Sequence, residues 1–303
     1  MATKFLRHKF FLRFAFVLLC LLLSTATVFV PVDRAVAGSH GGSHGTMTLA
    51  VHPFLSSREV IKRFRPLAQY IGGKLDRKVV VKVGKDYDEH IRFIGENRVD
   101  IAFLGPASFI MMLEKYGNKP LLARFEIKGK PFFQGKIIVR DQSPIHTLQD
   151  LENKRFAFGD PASTMSHIVP HYMLRQAGVK ADRLQSHAFL GSHNNVAFAV
   201  LSGDYDAGAV KEAVFYKFAA KGLRALASTP KISEHLFVAS GDLSPAVVKK
   251  LQTILSQLHK DKEGRAAMAA IKKSMTKMVP VKLADYDNLR VILKDMEGVG
   301  PSR

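Results

Sequence analysis

Short apolar runs alternate with longer amphipathic segments along most of the chain after residue 46. In the first series the predicted strands are 47–52, 78–83 and 99–104, and the predicted helices are 58–71, 86–96 and 107–116. In the second series the strands are 155–159, 185–190, 205–210 and 223–227, and the helices are 164–176, 194–201 and 212–220. Strands that alternate with helices predict βαβ units and a mainly parallel sheet covered on both faces. The pattern therefore predicts an α/β protein with two lobes.

The segments between and after the two series predict how the lobes are connected. Extended segments at 121–127 and 134–140 separate the series, and a strand at 235–240 precedes helices at 245–260 and 264–275. If the last part returns to the first lobe, the chain crosses between lobes near Arg140 and again at 229–234. We therefore expect lobe 1 to comprise 47–139 and 235–303 and lobe 2 to comprise 140–234, with a hinge and an interlobe cleft.

The amino terminus has the order of a secretory signal peptide. Four basic residues between positions 4 and 13 precede an apolar run at 14–30, and Ala35-Val36-Ala37 supplies a small-residue cleavage site. This predicts cleavage after Ala37 and a periplasmic location, with 1–37 as the signal peptide and the Gly/Ser-rich 38–46 as a flexible linker. A retained membrane anchor is the alternative, because an apolar run of this length lies at the lower limit for spanning a bilayer.

Composition restricts the chemistry of the mature protein. The single cysteine, Cys20, lies in the leader, so the mature chain has no disulfide and no thiol nucleophile. The first 37 residues hold five of the 45 Lys/Arg and one of the 26 Asp/Glu, so the remainder keeps a net charge of about +15. This balance favours anionic partners. Nucleic acid is disfavoured, because the basic residues form no long run and no aromatic ladder accompanies them.

The loop after the predicted strand 155–159 carries the most informative polar residues. Ser163, Thr164 and Ser166 stand where the next helix begins. A helix start offers unpaired N–H groups and a partial positive charge, so hydroxyls grouped there can form an oxyanion cradle. Ordinary helix capping is the alternative, since Ser and Thr are also preferred as N-caps.

At this loop the sequence resembles a known family. The segment Asp160-Pro-x-Ser-Thr-x-Ser is similar to the Asp-Pro-x-Ser-Thr-Ser-Gly segment of the phosphate/phosphite/phosphonate-binding proteins of ABC importers. Further similar segments follow the family order at 86–87, 99–108, 191–193 and 202–210. The resemblance runs from about 47 to 286 and implies a type II periplasmic-binding fold.

The resemblance also implies roles for five residues. Ser163, Thr164 and Ser166 would contact the oxyanion, Tyr87 would donate a hydroxyl from the opposite lobe, and His193 would lie across the same group. Taken alone, Tyr87 could instead pack with its hydroxyl in water, and His193 could cap the helix that starts near residue 194. The implied function is capture of a small phosphorus oxyanion by hinge closure and delivery to a membrane permease. A ligand-presenting role for a membrane sensor is the alternative, and we expect a monomer.

Departures from the family pattern affect specificity. Met165 stands before the second serine, which shifts Ser166 and the adjacent His167 by one position. Leu104 occupies a position that is aromatic in relatives that take aminophosphonates, while Glu212 and His235 lie near positions that are acidic there. An amine-bearing ligand would lose charge pairing, so the sequence favours phosphate, phosphite or an alkylphosphonate.

Two further classes of function are disfavoured. A hydrolase on this fold would need general acid–base groups, and the candidate site lacks a suitable carboxylate pair. His167 and His171 are four residues apart on one predicted helix, but two ligands do not make a metal site. We therefore expect a binding protein that is not an enzyme and holds no metal or cofactor.

Overall fold

The structure, a computed structural model, describes residues 45–297. The predicted signal peptide at 1–37 and most of the predicted linker lie outside the described residues, as do 298–303. Within 45–297, no helix combines the length and the apolar character needed to cross a membrane.

Strands and helices alternate through both predicted series. The strands are β1 (Met47–Val51), β2 (Val79–Val83), β3 (Ile101–Leu104), β4 (Leu121–Ile127), β5 (Phe132–Phe133), β6 (Gly135–Arg140), β7 (Arg155–Phe158), β8 (Ser186–Phe189), β9 (Ala207–Lys211), β10 (Leu223–Ser228), β11 (Ile232–Ser233), β12 (Leu236–Ala239) and β13 (Met275–Val279). The helices are α1 (Ser57–Leu75), α2 (Tyr87–Gly95), α3 (Pro106–Tyr116), α4 (Val169–Gln176), α5 (His193–Ser202), α6 (Glu212–Ala219), α7 (Pro245–Gln257), α8 (Lys262–Ile271) and α9 (Asp287–Glu297).

The strands form two principal sheets. The first has the order β13-β4-β12-β3-β1-β2 and the second has the order β10-β6-β9-β7-β8. Both sheets are mixed, which corrects the expectation of mainly parallel sheets. β1 pairs parallel with β2 and β3, whereas β12 runs antiparallel to β3 and β4. The antiparallel pairings arise where the chain leaves a sheet and returns to it, because the returning strand enters from the opposite end.

The crossings between the sheets differ from those predicted. β6 pairs with β9 and β10 of the second sheet, so the first crossing lies at 128–134 and the boundary at Arg140 was placed too late. Before β5 the backbone turns at Lys128 and Gly129, whose φ angles are 51° and 74°. β5 pairs antiparallel with β11 of the second crossing. The two connections therefore form one short ribbon between the sheets.

Apolar side chains cover both faces of each sheet, as the sequence predicted. α1 places Val60, Phe64, Leu67 and Ile71 on one stripe, and all four are fully buried. This spacing is that of a helix with one apolar face. Each fully buried side chain of this size contributes about 1.5–3 kcal/mol relative to its exposed state. The fold therefore rests on helix-on-sheet cores and leaves the ends of the strands free for polar residues.

The carboxyl ends of several strands lead into one cavity. His52 follows β1, Gly105 follows β3, and Asp160 comes shortly after β7, while Lys211 ends β9; all four line the cavity. Ligands of open α/β sheets bind outside the carboxyl ends of the strands. The fold thus assembles residues from both sheets around the same space.

Candidate ligand-binding site

The cavity between the two sheets has a volume of about 680 Å³ and is lined by residues from both. The five residues that the resemblance implied all line it: Tyr87, Ser163, Thr164, Ser166 and His193. Tyr87 comes from the first sheet's side, and the other four come from two helix starts on the second sheet's side. Tyr87 and His193 are 106 residues apart in sequence, and the structure brings both to the same cavity.

The loop after β7 is shaped by hydrogen bonds within its own backbone and side chains. Asp160 Oδ1 accepts from the Ala162 N–H at 2.8 Å, and Ser163 Oγ accepts from the Ser166 N–H at 3.3 Å. Ser163 is therefore a helix cap, the alternative weighed above. A hydroxyl has one proton to donate besides its acceptor capacity, so a capping serine can still donate to a ligand. Capping and ligand binding are compatible at this residue.

A π-helical turn at Thr164–Ile168 accommodates the extra residue of the motif. The N–H of Ile168 donates to the Ser163 carbonyl at 3.0 Å, a bond that spans five residues instead of four. Met165 is 1% exposed and packs in an apolar cluster at the wall of the cavity, and Ser166 lines the same cavity. π-helical turns are rare and occur often at functional sites. The turn packs the additional side chain against apolar neighbours and keeps both flanking hydroxyls at the cavity.

Gly159 permits the close approach of the loop to β7. Its N–H donates to the Ser166 carbonyl at 3.0 Å, and a Cβ at this position would overlap Ser166 Oγ. Only glycine leaves this space free. The backbone therefore fixes where the Ser166 hydroxyl stands.

Tyr87 begins α2, directly after the N-cap Asp86, which accepts from the Glu89 N–H at 2.8 Å. Its ring lies 5.3 Å from the His52 ring, and among residues 45–297 its hydroxyl has no hydrogen-bond partner. Burial raises the pKa of Tyr87, and the charge of Asp160 across the cavity adds to this effect. The phenol is therefore a neutral donor directed at the cavity and not a surface group.

His193 begins α5, but Ser192 is the residue that caps this helix, by accepting from the Asn195 N–H at 3.2 Å. The backbone N–H of Lys211 donates to His193 Nδ1 at 3.1 Å. Burial lowers the pKa of His193 well below its usual value, and the nearby Lys211 charge lowers it further. The ring is thus neutral with its proton on Nε2. It can donate one hydrogen bond without carrying a charge.

The sequence analysis did not identify His52 as part of the site. His52 is 2% exposed, and its Nδ1 lies 3.2 Å from the Phe103 carbonyl, to which it donates. Its ring stacks on Phe103 and on His235 with centroid separations of 5.3 and 5.6 Å. Burial lowers the pKa of His52 well below its usual value. Its position at the end of an apolar strand was the sequence feature that could have indicated a site residue.

The two glutamates that line the cavity already have partners. Glu234 Oε2 accepts from His235 Nδ1 at 3.0 Å, and Glu212 Oε1 lies 3.7 Å from the Lys136 ammonium. Burial, the largest single effect, would raise the pKa of Glu234, but the hydrogen bonds and charge of His235 together with the charge of Lys272 outweigh it, and the pKa is lowered. Glu234 is therefore an ionised carboxylate held by a neighbouring imidazole. Both Glu212 and His235 line the cavity, as expected for residues near the ligand.

Two residues expected near the ligand lie elsewhere. Leu104 is fully buried among apolar residues of α2 and α3, while its neighbour Phe103 lines the cavity, because adjacent strand residues point to opposite faces. His167 donates from Nδ1 to the Pro161 carbonyl at 2.6 Å, and its ring packs 5.1 Å from Phe158, away from the cavity lining. The His167 and His171 rings do lie 5.3 Å apart. No group of three metal-ligating side chains occurs in the part of the chain that the structure describes.

Comparisons with known proteins agree with this architecture. The chain is 28% identical over 283 residues to the phosphate-import protein PhnD of Mycolicibacterium smegmatis, covering 85% of this chain and 88% of that protein. It is 26% identical to a probable ABC transporter phosphite-binding protein PhnD1 of Prochlorococcus marinus, covering 65% of this chain and 72% of that protein.

A solved structure shares the fold. PhnD1 from Prochlorococcus marinus in complex with methylphosphonate superimposes with a TM-score of 0.75 at 22% identity, covering 85% of this chain and all of that one. This likeness places the chain in the two-lobed type II periplasmic-binding fold with a hinge and an interlobe cleft. The sequence profile of a family described as ABC transporter, phosphonate, periplasmic substrate-binding protein matches residues 49–286. The chain therefore belongs to the family of phosphonate periplasmic substrate-binding proteins of ABC transporters.

Proposed function

We propose that this protein captures a small phosphorus oxyanion in the cavity and delivers it to the permease of an ABC importer. The observation that carries the proposal is the convergence of the Ser163, Thr164 and Ser166 hydroxyls at one helix start, opposite the unpaired Tyr87 hydroxyl. The names of its relatives, which include phosphate-import and phosphite-binding proteins, support the same ligand class.

The donors suit a small anion better than a neutral or cationic ligand. The helix start contributes N–H groups and a partial positive charge. Tyr87 and His193 add neutral donors. The raised pKa of Tyr87 keeps its hydroxyl protonated at neutral pH, and the lowered pKa of His193 keeps its imidazole uncharged. Such donors are satisfied only when an acceptor arrives, and a hydrogen bond to a charged group is worth about 1.5–3 kcal/mol. A tetrahedral oxyanion presents several acceptors at once.

Closure of the two lobes is the proposed capture step. Thr164 Oγ1, on the second sheet's side, accepts from the N–H of Ala107 at the start of α3, on the first sheet's side, at 3.1 Å. The threonine retains its proton for a ligand oxygen, so the same hydroxyl can join the two lobes and the anion. Hinge closure around a ligand is an established motion for two-lobed binding proteins.

We further propose that the protein acts in the periplasm as a monomer, after removal of residues 1–37, and does not transform its ligand. The order of the leader supports export. Ser163 and Thr164 accept hydrogen bonds from backbone N–H groups, whereas a nucleophilic serine needs a general base beside it.

Isothermal titration calorimetry of the mature protein, freed of endogenous ligand, tests the proposal. We expect micromolar or tighter binding of at least one of phosphate, phosphite and methylphosphonate, and its loss in a Ser163→Ala/Thr164→Ala double variant. A Ser256→Ala variant, at a half-buried serine of α7 that does not line the cavity, is the control. Absence of binding to all three anions would refute the proposed ligand class.

A further inference from the structure

Lys211 places an unpaired ammonium group in the cavity. It is the last residue of β9, and it lines the cavity beside His193. Its ammonium lies 6.0 Å from the centre of the Phe54 ring, across the cleft. Within residues 45–297, no carboxylate lies within ion-pair distance of this ammonium. Lys136 differs, because it pairs with Glu212.

The surroundings disfavour the charge of Lys211. Burial lowers its pKa to about 8, and the positive charges of Lys272 and Arg63 lower it further, while Glu234 partly opposes them. Lys211 is half-buried, and a charge that is largely removed from water without a partner is costly. At neutral pH the ammonium is still mostly protonated. It therefore lacks the counter-ion that its position requires.

The acidic side chains of the cavity do not supply this counter-ion. Glu234 is bound by His235, Glu212 by Lys136 and Tyr216, and Asp160 by the Ala162 N–H. Five Lys/Arg residues but three Asp/Glu residues line the cavity. An incoming amine would meet two glutamates that already have partners and Asp160, which accepts only a backbone N–H, whereas an incoming anion would meet a free ammonium and an excess of basic residues.

The cavity also has room beyond the oxyanion cradle. A water molecule occupies about 30 Å³, and a phosphate has five heavy atoms of similar size. A phosphate would therefore fill roughly a quarter of the cavity volume of about 680 Å³. The Lys211 N–H bonds to His193, so its side chain starts directly beside the cradle. A substituent on a phosphorus held in the cradle would share this space with the Lys211 side chain, since both line the same cavity.

We infer that Lys211 binds a second anionic group of the ligand, so that the preferred ligands are phosphonates that carry a carboxylate. This inference rests on the proposed binding of a phosphorus oxyanion in the cradle and specifies which members of that class fit. Lys211 acts in it as a specificity-determining residue, since its ammonium distinguishes anionic from neutral or cationic substituents.

A matched set of ligands tests the inference by calorimetry at pH 7. The set comprises 3-phosphonopropionate, propylphosphonate and 2-aminoethylphosphonate, which carry a carboxylate, a methyl group and an ammonium at similar reach. We expect 3-phosphonopropionate to bind at least about 10-fold more tightly than propylphosphonate, as a charge-assisted hydrogen bond allows. The aminophosphonate should bind most weakly.

Two variants make the test specific to Lys211. Lys211→Gln should abolish the preference for the carboxylate, and it should weaken 3-phosphonopropionate by at least about 10-fold more than propylphosphonate, which lacks the second anionic group. Lys130→Gln removes the same charge from an exposed residue of the cavity rim and should keep the preference. Thermal unfolding of both variants verifies that they are folded.

The outcomes separate this inference from the proposed function. If propylphosphonate or methylphosphonate binds but the carboxylate gives no advantage, or Lys211→Gln leaves the ratio unchanged, the role of Lys211 is wrong and the oxyanion site stands. If no phosphorus compound binds the wild-type protein, both are overturned.

Discussion

The N–H of Lys211 donates to His193 Nδ1 at 3.1 Å, and this bond leaves the imidazole proton on Nε2. A backbone amide can only donate, so Nδ1 must be the acceptor in the neutral ring. The end of β9 thereby sets the hydrogen-bonding character of a side chain on α5. The His193 Nε2–H donor is therefore oriented by a backbone hydrogen bond before any ligand binds.

Two variants of His193 distinguish its two nitrogens. His193→Asn can keep an acceptor near the Nδ1 position but loses the distal donor, so methylphosphonate affinity should fall by about 10–100-fold. His193→Gln can place its amide N–H near the Nε2 position and should recover part of the loss. Calorimetry measures both, with urea unfolding as the stability control. Equal affinity of all three proteins would contradict a donor role for His193.

Tyr87→Phe removes a hydroxyl that has no partner among residues 45–297. Loss of an unpaired hydroxyl should leave the melting temperature nearly unchanged, while ligand affinity falls by about 10-fold or more. Differential scanning calorimetry and ligand titration measure the two effects separately. A drop in stability without a loss of affinity would show that Tyr87 has a packing role instead.

Gly159→Ala introduces a Cβ that overlaps Ser166 Oγ. We expect a loss of about 1–3 kcal/mol in the free energy of unfolding, as for other overpacked positions, together with weaker ligand binding because Ser166 moves. Gly73→Ala in α1 is the control, since a Cβ added there meets nothing within 4 Å. This variant should be neutral or stabilising by up to about 1 kcal/mol. Urea unfolding of both variants tests this, and wild-type stability of Gly159→Ala would contradict the tight approach.

The preference for a carboxylate-bearing ligand should decrease as pH rises from 7 to 9. The pKa of Lys211 in the free protein is lowered to about 8, so the ammonium that pairs with the carboxylate is lost through this range. Binding of the anion raises this pKa, which moves the midpoint upward. The ratio of 3-phosphonopropionate to propylphosphonate affinity cancels the titration of the phosphonate group itself. A ratio that does not change over this range in the wild-type protein would contradict the assignment.

The sequence predicted the alternation of strands and helices because hydrophobic periodicity is a local property. It missed β13, since the amphipathic pattern of 264–275 extends helical character up to Met275. β13 exists because it pairs with the edge of β4, a contact that local pattern does not record. The placement of β6 failed for the same reason, as both β4 and β6 have extended patterns and only their partners assign them to sheets.

The site was predictable where a motif carries it and not where tertiary contacts create it. Ser163, Thr164 and Ser166 are adjacent in sequence, so their grouping was visible. Lys211 was not identified, because its burial and its lack of a counter-ion depend on residues of the other lobe. Leu104 was expected at the ligand because a family resemblance does not settle which face of β3 meets the cavity; Phe103 lines the cavity, and adjacent strand residues point to opposite faces.

A crystal structure of the mature protein with methylphosphonate tests the central claim most directly. We predict the phosphonate in the cavity, with its oxygens about 2.5–3.0 Å from hydroxyl oxygens of the loop that contains Ser163 and Thr164, and with the Tyr87 hydroxyl bound from the opposite side. A phosphonate bound elsewhere, or bound in the cavity without contact to this loop, would contradict the account.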